Sequence, residues 1–213
     1  MLKSIVSIDK EYCFSYTISK SKFIAYAYRF DETSSIKDIL TSLKKEEKGA
    51  THYCYAYKFT KGIVAGKVVD ENFENQTSYD DNGEPTGTAG MKILKAITDK
   101  DATNVLIVVV RYFGGIKLGV GGLGRAYKYA ADEVLKNATE QKLKLISQCV
   151  CDYSTFEKVK KFCDENVLKI FDCVFEDKVK FSVSFEECFL GKIEDMLTNA
   201  QMCIIGKRYD WWR

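Results

Sequence analysis

The residues best suited to chemistry lie in a glycine-dense segment between a predicted strand and a predicted helix. Asn104 is followed by an apolar run that ends at Val110, which predicts a strand buried on both faces, and apolar residues recur at helical spacing over residues 123–138. Positive charge surrounds the intervening glycines. Because a helix N-terminus offers unpaired N–H groups and glycine permits close approach, the segment favours binding of a phosphate or carboxylate. The alternative is a structural segment whose glycines let helix and strand pack tightly.

The predicted nucleic-acid- or anion-binding residues all belong to this segment and the start of its helix. They are Arg111, Tyr112, Gly114, Gly115, Lys117, Gly119, Gly121, Gly122, Arg125 and Lys128. Residues 119–124 match the G-x-G-x-x-G pattern of dinucleotide-binding proteins, but several residues separate them from the strand and no further βαβ unit follows. A P-loop is excluded because no Gly-Lys-Ser or Gly-Lys-Thr occurs. The sequence therefore predicts an anion site that lacks a nucleotide-specific motif.

A second group of polar residues lies in and near a predicted long polar loop, residues 70–87. An EF-hand is excluded because Ala89 stands where a calcium loop needs glutamate. Two interpretations stay open. The carboxylates form a solvated loop that also favours the N-terminus of the next helix, with a threonine after Pro85 as its cap, or they hold magnesium against a phosphate bound at the glycines. The candidate residues of this second polar group are His52, Asp80, Asp81, Glu84, Thr86 and Thr88, with no catalytic residue and no metal assigned.

Composition limits the class of protein. The chain has 213 residues, 46% of them apolar, which suffices for one large or two small domains. The formal net charge is only +2, so any contact with nucleic acid must come from a local basic patch. The eight cysteines form no C-x-x-C pair and His52 is the only histidine, so zinc sites of the usual spacing are absent. Without a signal peptide or an apolar spanning segment, we expect a cytoplasmic protein with reduced thiols.

The order of predicted elements indicates two domains. Strands, a helix begun by Ser35 and an alternating strand over residues 51–59 precede the glycine-dense segment. After Ala138 the pattern becomes strand, helix, strand, strand, helix, strand, which is the ferredoxin-like order. The change of pattern alone sets the boundary and gives domains over residues 1–139 and 140–213.

Four short motifs follow one another along the first two-thirds of the chain. They are Ser21-Lys22-Phe23-Ile24-Ala25; Ala50-Thr51-His52 with Cys54-Tyr55-Ala56-Tyr57; Asp81-Asn82-Gly83-Glu84-Pro85-Thr86-Gly87-Thr88-Ala89-Gly90; and Arg111-Tyr112-Phe113-Gly114-Gly115-Ile116-Lys117-Leu118-Gly119 with Gly121-Gly122-Leu123 and Arg125-Ala126-Tyr127. In this order they resemble the motifs of the IMPACT/YigZ family, in its two-domain bacterial-type form. Three positions depart from the family pattern: Asn82 replaces the usual aspartate, Lys92 a common proline and Gly124 a larger apolar residue.

The resemblance implies an α+β fold of two domains. The N-terminal domain is expected to be like the second domain of ribosomal protein S5, and the C-terminal domain to be ferredoxin-like, similar to the last domain of the elongation factor that drives translocation. It also implies a link to translation. Eukaryotic relatives act in translational control during amino-acid starvation by competing for a partner of a starvation-sensing kinase. Because a fold is shared by many functions, this analogy alone does not assign one.

We therefore predict a non-enzymatic regulator of translation that binds RNA, the ribosome or a translation-associated protein through its basic glycine-rich loop. No cofactor, membrane partner or DNA specificity is expected. An enzyme acting on a phosphorylated small molecule or nucleotide is the alternative. In that case Asp80, Asp81 and Glu84 would hold magnesium and His52 would act as base. A third possibility is a protein-interaction module that uses the long polar loop and the tryptophan-rich tail at residues 210–213.

Overall fold

The computed structural model describes residues 4–198 and 200–209, so the tryptophan-rich tail lies outside the described residues. In chain order the strands are β1 (Ser4–Ser7), β2 (Tyr12–Ile18), β3 (Ser21–Arg29), β4 (His52–Lys61), β5 (Ile63–Val64), β6 (Lys67–Val68), β7 (Glu74–Asp80), β8 (Val105–Tyr112), β9 (Thr139–Cys151), β10 (Lys169–Phe175), β11 (Val179–Phe185) and β12 (Gln201–Tyr209). The helices are α1 (Ile36–Glu46), α2 (Gly90–Asp99), α3 (Gly119–Val134), α4 (Tyr153–Glu165) and α5 (Leu190–Met196), with 3-10 turns at Leu135–Asn137 and Glu187–Phe189.

The chain divides into two compact units. The N-terminal unit holds residues 5–65 and 69–141, and the C-terminal unit holds Ser4 and residues 66–68 together with the described residues from 142 to 209. In the described part of the chain, no helix has both the length and the hydropathy needed to cross a membrane.

The sheet of the N-terminal unit has the strand order β2-β3-β8-β4-β7, and every neighbouring pair is antiparallel. The central strand β8 is buried along both faces from Val105 to Val110. Its alternate side chains enter different cores, because successive residues of a strand point to opposite faces. Ile107 and Val109 pack with α2 and α3, whereas Leu106 packs with α1 on the other face. The prediction of a strand buried on both faces is confirmed.

Helix α1 forms as its sequence indicates. The Ser35 hydroxyl accepts a hydrogen bond from the backbone N–H of Asp38, which satisfies one of the unpaired donors at the helix start. Leu43 is buried against the sheet, with Ile36, Ile39 and Leu40 packed beside it. The two faces of the sheet are therefore covered differently, with α1 on one face and α2 and α3 on the other.

Two sequence predictions about local structure are wrong. The predicted polar loop at residues 70–87 contains strand β7, which pairs with β4 from Lys61–Glu74 to Tyr55–Asp80. An edge strand is held by backbone hydrogen bonds and buries little, so its polar composition hid it. The glycine-rich pattern at residues 119–124 forms the first turns of α3 instead of a loop. Burial of Leu123 and Tyr127 stabilises the helix despite the low helix propensity of glycine.

The C-terminal unit has the predicted ferredoxin-like arrangement. Elements β9, α4, β10, β11, α5 and β12 follow in that order, and the strands lie as β10-β11-β9-β12 with antiparallel neighbours. Its core joins Cys149 and Phe181 of the sheet to Val159 of α4 and Ile193 of α5. The two-domain α+β fold class is confirmed.

Candidate functional site

Three neighbouring strands end at one place and direct their side chains to the same face of the sheet. In the strand register Arg111 of β8 lies opposite Phe23 of β3 on one side and opposite His52 of β4 on the other. Val109, two residues before Arg111, packs with α2 and α3, so Arg111 points to that face as well. The first, second and fourth sequence motifs therefore meet beneath the start of α3.

Arg111 and Glu84 form a buried ion pair at this place. Arg111 Nη1 lies 2.6 Å from Glu84 Oε1, and the two residues are only 5% and 8% exposed. The Tyr127 hydroxyl donates a second hydrogen bond to the same carboxylate oxygen at 2.8 Å. Arg111, expected to present its charge to a ligand, instead neutralises Glu84 of the other predicted motif. The sequence shows both charges, but the partner lies 27 residues away in the chain.

His52 lies at the edge of this network. Its Nδ1 is 2.8 Å from the backbone carbonyl oxygen of Asn82. A carbonyl only accepts hydrogen bonds, so Nδ1 carries the proton in the neutral ring. Nε2 faces Glu84 Oε1 at 3.8 Å, which is beyond hydrogen-bond distance. Asn82 stands where the family pattern has aspartate. Its side-chain oxygen accepts a hydrogen bond from the backbone N–H of Tyr53, which connects the loop to β4.

Cys54 completes the buried network without being reactive. Its thiol donates to the backbone carbonyl of Asp81 at 3.0 Å and lies 3.4 Å from the Tyr127 hydroxyl. Burial raises the pKa of the Cys54 thiol to about 12. The nucleophilic thiolate is therefore scarce at neutral pH.

Asp81 binds the start of α2. Its carboxylate accepts the backbone N–H groups of Gly87, Ala89 and Gly90 at 2.7, 2.9 and 2.8 Å. The predicted threonine cap is wrong, because Thr88 instead donates to the carbonyl of Pro85 and α2 has no side-chain bond from its own N-cap residue.

The remaining candidate residues of the second polar group do not complete a metal site. Asp80 ends β7 and accepts the backbone N–H of Asn82, and Thr86 is exposed. Among residues 4–198 and 200–209, no group of three or more His, Cys, Asp or Glu side chains is placed to hold a metal ion.

The glycine-dense segment is held tightly against the β2–β3 turn. The backbone N–H of Gly114 donates to the Ser21 hydroxyl at 3.2 Å. A Cβ at position 114 would lie 2.0 Å from the backbone oxygen of Lys20, so only glycine fits. Gly115, Gly119 and Gly121 are exposed, and Gly122 is half-buried. Within this set the structural role is established for Gly114.

Two departures from the family pattern fit each other. Lys92 of α2 lies against Gly124 of α3, where a Cβ would be 3.2 Å from Lys92 Cε. The small residue makes room for the aliphatic stem of the lysine between the two helices. The two departures are therefore compatible with each other in the packing of α2 against α3.

Exposed cations lie beside the glycine-dense segment and at the start of α3. Lys117 precedes the helix, Arg125 extends back along it to within 3.5 Å of the position of a Cβ on Gly121, and Lys20 lies on the turn that contacts Gly114. Within the described residues, none of these three forms an ion pair, and we call them the basic surface. The sequence prediction missed Lys20, whose only signal was its place beside the first motif.

Two predicted binding residues are engaged elsewhere. The Tyr112 hydroxyl donates to Glu47 at 2.7 Å, and the residue packs with the core on the α1 face of the sheet. Lys128 pairs with Asp132 at 2.9 Å and with Asp99 at 3.2 Å. The structure therefore brings together Lys117 and Arg125 with the glycines, but separates Tyr112 and Lys128 from them.

Comparison with known proteins identifies the family. The family model for the Impact N-terminal domain matches residues 19–135, which include the buried network and the basic surface. IMPACT family member YvyE of Bacillus subtilis is 33% identical over 200 residues, covering 93% of this chain and 87% of that protein. An IMPACT family member of Haemophilus influenzae is 31% identical over 199 residues, covering 92% and 89%.

A solved structure is also similar over nearly the whole length. It is described as a hypothetical protein, is 25% identical, and covers 96% of this chain and 98% of its own with a TM-score of 0.58. The sequence match, its length and the shared two-domain fold agree with the motifs at the site. This chain belongs to the IMPACT family.

Proposed function

We propose that this protein is a non-enzymatic regulator of translation that binds RNA or the ribosome through its basic surface. The observation that carries the proposal is the set of exposed cations Lys20, Lys117 and Arg125 beside the glycine-dense segment and the start of α3, none of which forms an ion pair within the described residues. Phosphates of nucleic acid bind Lys and Arg side chains and exposed backbone N–H groups in this way. Membership of a family whose eukaryotic members act in translational control makes the ribosome the first partner to test.

The charge distribution supports a local contact over a general polyanion interaction. The formal net charge of the chain is +2, and several other cations are neutralised within the described chain, among them Lys95, Lys128 and Arg111. The basic surface keeps its charge available to a partner. Binding through it is expected to weaken steeply as salt rises, because each phosphate contact releases bound counterions.

The alternative of a magnesium-dependent enzyme has less support in the arrangement of its residues. The Asp81 carboxylate is taken up by backbone N–H groups at the start of α2. Glu84 is buried between Arg111 and Tyr127, and the acidic atom nearest to His52 Nε2 is an oxygen of that same carboxylate. These groups bind one another and stabilise the junction between the strands and the helices.

The test is co-sedimentation with ribosomes and binding to total RNA across a salt series, with and without nuclease. We expect binding that weakens as salt rises, and we expect nuclease treatment of the free RNA to abolish binding to it. In the double variant Lys117→Ala, Arg125→Ala the slope of log K against log salt should become shallower by about 1.4, at about 0.7 per phosphate contact of a single strand.

A matched control is available on the opposite face of the sheet. Lys37 and Lys45 are exposed lysines of α1, so Lys37→Ala, Lys45→Ala removes the same formal charge away from α3. This variant should bind like the original protein. An original protein that binds neither RNA nor ribosomes at low salt contradicts the proposal, and so does equal loss of binding in the two double variants.

A further inference from the structure

We propose that Phe113 is a base-stacking platform that makes the basic surface selective for unpaired RNA. The inference rests on the proposed function and adds the class of RNA bound. Phe113 lies next to the glycines and remains 45% exposed. A large aromatic side chain left in solvent beside unpaired cations has the composition of a surface that binds single strands.

The backbone at Phe113 is fixed from both sides. Its own N–H donates to the Thr51 hydroxyl at 3.1 Å, and the next N–H, of Gly114, donates to the Ser21 hydroxyl at 3.2 Å. Gly114 is also pressed against the carbonyl of Lys20. The exposed ring is therefore carried by an anchored segment between β4 and the β2–β3 turn.

The ring is also held by the buried network. The Arg111 guanidinium carbon lies 5.3 Å from the centre of the Phe113 ring and 5.4 Å from that of Phe23. Arg111 itself is fixed by Glu84, which also accepts a hydrogen bond from Tyr127. A planar cation that contacts both rings orients Phe113 in advance, so binding loses little side-chain entropy. This gives Arg111 an indirect role in binding, without contact to phosphate.

The surroundings of Phe113 suit a single strand. Ile116 and Val120, which follow Phe113 in the chain just before and within the start of α3, are 45% and 70% exposed. The basic surface supplies cations for the phosphates beside it. In a duplex the bases are already stacked on one another, whereas an unpaired base offers a face to an aromatic ring. Loops, bulges and single-stranded segments are therefore the expected targets.

The test compares short labelled RNAs by fluorescence anisotropy. An oligouridylate and an RNA duplex of equal length are titrated with the original protein and with Phe113→Ala, Phe113→Leu and Phe113→Trp. We expect Phe113→Ala to weaken single-strand binding by about 5- to 150-fold, the range for loss of one stacked base. The salt slope and duplex binding should not change, because the ring carries no charge.

The other variants separate stacking from simple apolar contact and from folding. Phe113→Trp should retain single-strand affinity, whereas Phe113→Leu should lose it although its side chain is apolar. Tyr79→Ala removes another exposed aromatic, on edge strand β7, and should have no effect. Thermal melting shows whether each variant is folded. If the alanine variant is unstable, Phe113→Trp still tests the proposal, because it keeps an aromatic ring over Arg111.

Three results would overturn the inference. Unchanged single-strand affinity in Phe113→Ala, or equal loss for single strand and duplex, contradicts selectivity by stacking. Wild-type affinity in Phe113→Leu indicates an apolar docking surface instead. These results leave the proposed function standing if the original protein still binds RNA through its cations, whereas absence of all binding to RNA and ribosomes removes both.

Discussion

Helices α2 and α3 pack on the same face of one sheet, yet their first turns have opposite surroundings. Ala89 and Gly90 at the start of α2 are buried, and the Asp81 carboxylate accepts the N–H groups of Gly87, Ala89 and Gly90. The start of α3 is exposed from Gly119 to Gly121, and its N-cap residue Leu118 provides no side-chain hydrogen bond. A helix N-terminus attracts anions in both cases, but among the described residues a carboxylate binds the start of α2 and none binds the start of α3.

The acidic motif and the glycine-rich motif look equally functional in the sequence but differ in the structure. The acidic motif supplies anions to the fold, Asp81 to α2 and Glu84 to Arg111. Among the described residues, the N-cap residue of α3 makes no side-chain hydrogen bond, and Lys117 and Arg125 lie near the helix start without an ion pair. We therefore expect changes in the acidic motif to affect stability and changes around α3 to affect binding.

The largest expected effect is on stability, from Arg111→Ala. The substitution leaves Glu84 buried without its cation, which should lower the free energy of unfolding by about 3–5 kcal/mol. Urea denaturation measures the change. Arg125→Ala removes an exposed arginine of the basic surface and should stay within about 0.5 kcal/mol. If the two variants lose similar stability, the buried ion pair does not hold the strand ends together.

Asp81→Ala should have the next largest effect. It removes the acceptor for backbone N–H groups at the start of α2, and we expect a loss of about 2–3 kcal/mol in the same assay. Asp80→Ala is the matched control, because that exposed carboxylate accepts only the N–H of Asn82 in the described chain and should cost less than about 1 kcal/mol. Equal losses would show that the cap of α2 is not special.

The sequence was sufficient for elements whose own pattern is strong. The β-branched run of β8 has no polar interruption, and Ser35 with the apolar stripe of α1 marks a helix and its start. The C-terminal unit follows from alternating and helical periods within one continuous stretch. In each case the information lies in neighbouring residues.

It was insufficient where the structure depends on distant partners. Strand β7 has the composition of a loop and becomes a strand through pairing with β4. The charge of Arg111 is evident in the sequence, but its burial and its pairing with Glu84 require the tertiary fold. Phe113 was visible within a motif, yet its exposure and its contact with Arg111 emerge only when β8 ends beside α3.

A pair of glycine substitutions separates the requirements of the fold from those of binding. Gly114→Ala forces a Cβ against the backbone oxygen of Lys20, so we expect a loss of about 1–3 kcal/mol. Gly121 lies in α3, where a Cβ would meet only the flexible end of Arg125 at 3.5 Å. Gly121→Ala should therefore raise the free energy of unfolding by roughly 0.5–1 kcal/mol.

RNA titration of the same glycine variant decides what that glycine does. Higher stability of Gly121→Ala with unchanged RNA affinity would mean that this glycine is dispensable for binding and that the cations suffice. Higher stability with weaker RNA binding would mean that a ligand approaches the α3 backbone closely, where an added methyl group obstructs it. Lower stability would contradict the ordinary helical environment inferred for this position. Gly121 would then be required by the fold.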